Sequence, residues 1–170
     1  DRGNLDLPFE IENTLQISLP TSIPGVKVQV HLVLLLNRPL LLIQMGVLNE
    51  TGGPLQLERL SLLRVDAGDL SISSGHPSQP AFYSNGWQSW SATGANQLGD
   101  RQHQSKLGRF QNPMVRNPGT PKTRGRKHFS GDMFGVLGDL DARIGFLAGF
   151  LSQKNHFGRL ETRFQHAATL

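Results

Sequence analysis

Two tryptophans, Trp87 and Trp90, stand three residues apart in Asn85-Gly86-Trp87-Gln88-Ser89-Trp90-Ser91, and the chain has no others. An indole is costly to leave in water, and its N–H needs a partner once it is buried. With Gln88, Ser89 and Ser91 alongside, the pair suits either of two tasks. It is a core anchor with its own hydrogen-bonding groups, or a flat platform for a hydroxylated ligand. In an extended strand, residues at i and i+3 point to opposite sides. One indole packed inward and one displayed is therefore a better expectation than two of either kind.

Other chemistry-bearing residues form no catalytic constellation. The thirteen Asp and Glu fall mostly in turns or on polar strand faces. Asp139 and Asp141 are two apart, but they read as a solvated hairpin turn. Carboxylates that cleave a glycosidic bond must flank it across a pocket, which one turn cannot do. The six His (31, 76, 103, 128, 156 and 166) lack metal-ligand spacing. There is no P-loop and no Gly-rich dinucleotide fingerprint, so neither a metal nor a cofactor is expected. Asn49-Glu50-Thr51 matches a glycosylation sequon, a triplet that also arises by chance.

Charge is concentrated in one stretch. The net charge is +4, yet Arg101, Lys106, Arg109, Arg116, Lys122, Arg124, Arg126 and Lys127 supply eight of the seventeen Lys and Arg, with only Asp100 opposing them. Elsewhere acids outnumber bases, so basicity is a property of this segment and not of the fold. Three readings fit it: a solvated loop, a surface that docks on another domain or subunit, or a polyanion-binding surface. The last is the weakest, because nucleic-acid grooves interleave bases with aromatics and only Phe110 and Phe129 are available. No nucleic-acid partner is expected.

The elements that must position these residues read as strands. Val26, Val28, Val30 and Leu32 alternate with Lys27, Gln29 and His31. After a break at Asn37-Arg38-Pro39, Leu40 to Leu48 reads as a partner strand buried on both faces. Asn49 to Pro54 is a turn. Leu55 and Leu57, then Leu60 and Leu62 in opposite phase, suggest a strand with a bulge at Glu58-Arg59, or a short helix. Asp66 to Asp69 turns, and Leu70 to Ser73 is short and extended. Met133–Leu137 and Ile144–Leu151 form a hairpin around residues 138–143. A turn at Asn155–Gly158 then leads to a last strand, Leu160–Phe164. Between Ser91 and Ser130 the apolar period vanishes. Short strands with turn signals and no sustained helical period predict an all-β, antiparallel β-sandwich with a long irregular basic loop.

The 170 residues suit one domain. The chain opens on Asp and stops at Leu170 without a cap or turn, as if cut at both ends. The longest apolar runs, Leu32–Leu36 and Leu40–Ile43, fall far short of the roughly 18 residues a membrane helix needs. No membrane partner is expected. The absence of cysteine excludes disulfides and thiolate chemistry, and it favours a reducing, cytoplasmic compartment.

Asn85 to Ser91 resembles the N(G/N)WQSW signature near the end of the N-terminal β-sandwich of glycoside hydrolase family 36 α-galactosidases, the melibiase-like enzymes. Ser130 to Leu137 is similar to that family's S-D-x-F strand, with Gly131 inserted between Ser and Asp. Gly145 to Ser152 resembles the G-F-L-S segment that follows, and Phe157-Gly158 its tail. Order and spacing agree across Phe82 to Phe164, while the first eighty residues match only as a strand-rich lead-in.

The resemblance implies a supersandwich-like N-terminal domain, residues 1–170, ahead of a (β/α)8 barrel that this chain does not contain. Hydrolysis of terminal α-galactosides in the family is retaining, and its two catalytic aspartates belong to the barrel. The chain alone is then expected to be inactive. Trp90 matches the signature tryptophan that reaches the galactose site, and Trp87 becomes the structural anchor. Asn85, Ser89 and Ser91 are weaker candidates for orienting the loop. The partners implied are an α-galactoside, the missing barrel and further copies of the chain. A free-standing carbohydrate-binding module is the alternative from another class.

Overall fold

The computed structural model describes residues 11–66, 79–86, 91–103, 123, 125–152 and 156–164. Among them every regular element is a strand and every strand pairing is antiparallel. The fold class is all-β, as the strand-length alternation predicts. The chain divides into two compact units, Asp1–Arg64 and Val65–Leu170. No helix of the described residues is long and apolar enough to cross a membrane.

The first unit is a three-stranded meander of β1 (Ile11–Pro20), β2 (Val26–Leu35) and β3 (Leu41–Asn49). Asn37, at φ 57°, turns the chain between β2 and β3 where Asn37-Arg38-Pro39 predicts a break. The register places Leu15, Ile17 and Leu19 of β1 beside Leu32, Val30 and Val28 of β2. Ile43, Met45 and Val47 of β3 continue the same face. The other face carries Gln16, Ser18, Lys27, Gln29, His31 and Gln44. Strand β1 is missing from the sequence reading, although Leu15, Ile17 and Leu19 alternate cleanly with Gln16 and Ser18.

Two expectations fail here. Strand β3 is not buried on both faces: Ile43 and Met45 are half-buried, and Leu41 is 51% exposed. It is an edge strand, and its second face carries Gln44 and Gly46 between Leu42 and the exposed Leu48. Residues 54–66 form neither a bulged strand nor a helix. Their alternating leucines supply an apolar side, but an extended segment becomes a strand only when a neighbour takes up its backbone N–H and C=O groups. Among the described residues no strand pairing includes this stretch. The expected turn at 66–69 and the extended piece at 70–73 lie, but for Asp66, outside the described residues.

The second unit holds a four-stranded sheet in the order β5-β4-β7-β8, built from β4 (Pro80–Ser84), β5 (Gly94–Gln97), β7 (Phe134–Asp139) and β8 (Ile144–Gly149). A two-stranded ribbon pairs β6 (His128–Gly131) with β9 (Leu160–Arg163). The predicted hairpin is β7–β8, with Arg143 at φ 53° in its turn. Its Asp139 corrects the solvated-turn reading, being only 4% exposed. The Asp139 carboxylate accepts the N–H groups of Asp141 (3.0 Å) and Ala142 (3.4 Å), so it caps the turn from inside.

The core of this unit is small. Ala81, Phe82 and Phe129 are buried, and Tyr83 stacks on Phe134 at 6.0 Å. A two-stranded ribbon is marginal on its own. Phe129, fully buried and edge-on to Phe164 at 5.8 Å, contributes about 1.5–3 kcal/mol to holding it.

Candidate functional site

Strand β4 runs directly into the tryptophan segment. Trp87, Gln88, Ser89 and Trp90 lie outside the described residues, but both stems of the loop are defined. Asn85 and Gly86 lead in, and Ser91 leads out, all half-buried. The stems touch: a Cβ on Gly86 would overlap the Ser91 side chain. Glycine is required there because the returning chain occupies the space a side chain would need.

The inward stem is held from two sides. Thr93 donates its hydroxyl to Asn85 Oδ1 at 3.2 Å. The N–H of Asp132 donates to the Asn85 carbonyl at 2.9 Å. Gly131 lies against the same backbone, where a Cβ would stand 3.5 Å from Asn85 N and O and 3.1 Å from Phe134 O. Gly131, the insertion relative to the S-D-x-F pattern, is thus the residue that lets the second motif approach the first. The pairs Ser84–Gly135 and Tyr83–Val136 continue the contact into the sheet. The two segments singled out from sequence are brought together.

Beneath them lies a polar cluster that the sequence reading misses. Asn96, on β5, is 0% exposed. Its Nδ2 donates toward the Phe82 carbonyl (3.2 Å), Ser84 Oγ (3.3 Å) and the Gly94 carbonyl (3.3 Å), and its Oδ1 accepts the His103 N–H at 3.0 Å. His103 Nε2 donates to the Ala95 carbonyl at 3.1 Å. Gln102 meets Ser130 twice: its Nε2 donates to the Ser130 carbonyl (2.7 Å), and its Oε1 accepts the Ser130 N–H (2.8 Å). Strand β5 falls inside the stretch where apolar periodicity vanishes, because its inward residue is a hydrogen-bonded Asn.

The basic segment begins and ends on this cluster. Gln102 and His103 fix its start, and the Arg126 carbonyl accepts the Gly99 N–H at 3.1 Å near its end. Asp100, its single acid, accepts the Gln97 N–H at 2.7 Å and shapes the turn. Of the basic residues, Arg101, Arg126 and Lys127 are described; Lys106, Arg109, Arg116, Lys122 and Arg124 are not.

A second charged group lies on the β6–β9 ribbon, where the register puts His128, Ser130, Glu161 and Arg163 on one face. Glu161 Oε1 accepts from His128 Nε2 (2.7 Å) and Arg163 (2.9 Å), and Arg159 stands 3.5 Å from Oε2. Burial pushes the Glu161 carboxyl up. The hydrogen bond from Arg163, the charge and hydrogen bond of His128 and the charge of Arg159 outweigh it, and the carboxyl stays below its ordinary range. Among the described residues no three His, Asp or Glu gather as a metal site.

No family model, curated protein or solved structure matches the chain. The arrangement is therefore judged on its own chemistry. The arrangement pins the two stems of the tryptophan segment, Asn85-Gly86 and Ser91, beside a satisfied polar cluster. It brings no described pair of groups into position for acid–base or nucleophilic work.

Proposed function

We propose that this chain is the non-catalytic N-terminal β domain of a retaining α-galactosidase, contributing Trp90 to the galactose site and packing on a (β/α)8 barrel. The observation that supports this most directly is the Asp132–Asn85 hydrogen bond. Two segments that resemble neighbouring signatures of one family, and that are far apart in sequence, meet at the base of the tryptophan loop. A chance likeness of two short motifs carries no reason for them to touch.

In this reading the domain recognises and the barrel cuts. An indole displayed beside a sugar offers apolar contact to the pyranose face and one N–H donor to a hydroxyl. Domain junctions are common places for such pockets. The basic segment, anchored beside the same loop, faces the barrel or a neighbouring copy of the chain.

The test is made in the polypeptide that continues into the barrel, with p-nitrophenyl α-D-galactopyranoside as substrate. Trp90→Ala should lower kcat/KM by about ten- to a hundredfold, the loss of one or two good contacts, while the melting temperature holds. If melting collapses and the KM of the remaining folded enzyme is unchanged, Trp90 is a core residue. The chain ending at Leu170 should bind without hydrolysing. A second reading, a free-standing carbohydrate-binding module, rests on the same loop; it is favoured if the isolated chain binds galactosides as tightly as the longer polypeptide.

A further inference from the structure

Strand β6 has β9 on one side, and Ser130 faces away from it with both its backbone N–H and its C=O. In an antiparallel pair, alternate residues turn these groups to the outer edge, where a further strand would normally receive them. No strand stands there among the described residues. The Gln102 carboxamide does, donating to the Ser130 carbonyl at 2.7 Å and accepting from the Ser130 N–H at 2.8 Å. A primary amide is the side-chain copy of a peptide group, and this reciprocal pair is what a neighbouring strand would have made.

We propose that Gln102 is a positioning residue for the tryptophan loop, an inference that rests on the reading of that loop as the sugar-recognition element. Ser130 is followed by Gly131, which packs against Asn85, and by Asp132, which donates to the Asn85 carbonyl. Asn85 is the lead-in stem of the loop. Gln102 therefore fixes the short piece of chain against which the loop's base is set.

The amide is itself delivered from a fixed support. His103 donates its N–H to buried Asn96, and Gly99 donates to the Arg126 carbonyl, so residues 99–103 are tied on both sides. The chemistry of the position is narrow. Glutamate would accept from the Ser130 N–H but present no proton to the Ser130 carbonyl. Asparagine carries the same amide on a stem one methylene shorter. Leucine fills the space and leaves two groups of a residue only 6% exposed without partners.

The experiment uses tryptophan emission, which in this chain comes from Trp87 and Trp90 alone. Wild type, Gln102→Leu, Gln102→Glu and Gln102→Asn are compared for acrylamide quenching without ligand, and for KM toward p-nitrophenyl α-D-galactopyranoside in the longer polypeptide. Gly138→Ala is the control for plain loss of stability, because a Cβ there would stand 2.8 Å from the Ile144 carbonyl in the β7–β8 hairpin, opposite Ala81 and three residues along β4 from Ser84. Gln102→Leu should raise the quenching constant and raise KM about tenfold, one hydrogen bond's worth, with kcat little changed. Gln102→Glu should fall between it and wild type. Gly138→Ala should lower the melting temperature and leave quenching as in wild type.

The proposal is overturned if Gln102→Leu lowers melting but leaves quenching at the wild-type value, or if Gly138→Ala shifts quenching as much. Should Gln102→Leu fail to fold, the Glu and Asn variants decide by the same comparison. Wild-type protein without α-galactosidase activity would overturn the functional reading alone, and ligand-free quenching would still decide the role of Gln102.

Discussion

The backbone N–H of Asp132 lies 2.9 Å from the backbone carbonyl of Asn85, and this bond ties the residue after β6 to the residue after β4. Because it is a main-chain bond, no substitution deletes it directly. Its geometry depends on how closely the two backbones approach, and that is set by glycines. Gly131 is the last residue of β6, directly before the bond, and Gly86 closes the loop neck one residue beyond Asn85.

Gly86→Ala should therefore be among the more damaging single-methyl additions in the chain. The new Cβ would overlap the Ser91 side chain, and the stems would have to separate. Overpacking of this kind costs about 1–3 kcal/mol. Gly131→Ala meets a milder obstacle, a carbonyl at 3.1 Å, and should cost less. Urea denaturation of the two variants beside wild type checks the order. Equal stability of Gly86→Ala and wild type would mean that the neck has room the structure does not give it.

Asn96 is the second point of leverage. Its amide serves four partners from a fully buried position, so Asn96→Leu leaves the Phe82 carbonyl, the Ser84 hydroxyl and the His103 N–H short of a partner. Each buried group left unmet costs about 1–3 kcal/mol. Asn96→Asp should be worse at neutral pH, since a carboxylate cannot donate and would face the same carbonyls. Thermal melts of both variants, with Asn96→Asp also taken at acid pH where protonation restores a donor, test this ranking.

These two sites also mark where the sequence was and was not legible. The β2–β3 and β7–β8 pairings are written in alternation and turn residues, so both are legible in the sequence. Strand β1 was equally readable, in Leu15, Ile17 and Leu19. Strand β5 was not, because hydrophobic alternation reports apolar burial and Asn96 is buried through hydrogen bonds. Leu55 to Leu62 misleads for the opposite reason: an apolar alternation is present without a partner strand among the described residues. For the site, residue types pointed to the tryptophan loop, but Gln102 and Asp132 act on it through backbone groups and Thr93 through a hydroxyl bond to the Asn85 side chain. Such contacts leave no mark on residue spacing.

Trp87 and Trp90 should separate when each is removed. With Trp87 as anchor, Trp87→Ala should cost about 3–5 kcal/mol, the range for emptying a large aromatic from a core, and the residual folded protein should keep its KM. Trp90→Ala should keep its stability and lose affinity. Single-tryptophan emission gives a second check, since the anchor should emit to the blue and resist quenching, and the displayed indole should do the reverse. Identical spectra for the two single-tryptophan variants would remove the division of roles.

The Glu161 cluster makes a prediction about acid. Its carboxyl is held below the ordinary range in the folded chain and returns to that range on unfolding. The unfolded chain then binds the proton more readily, so the contribution of Glu161 to stability is complete above the ordinary carboxylate range and disappears as the pH falls through the depressed value. Two arginines, Arg159 and Arg163, and the His128 imidazole share one acceptor on a face about a quarter exposed at Glu161, so the effect should be modest but screened less than a fully exposed pair. Glu161→Gln should be less stable than wild type at pH 7, and the gap should close as both are taken to low pH. Removing the acceptor also leaves the two arginine cations facing one another, so added salt should narrow the gap at pH 7. A gap that stayed constant from neutral to strongly acid pH would place the stabilisation in packing of the side chain and not in its charge.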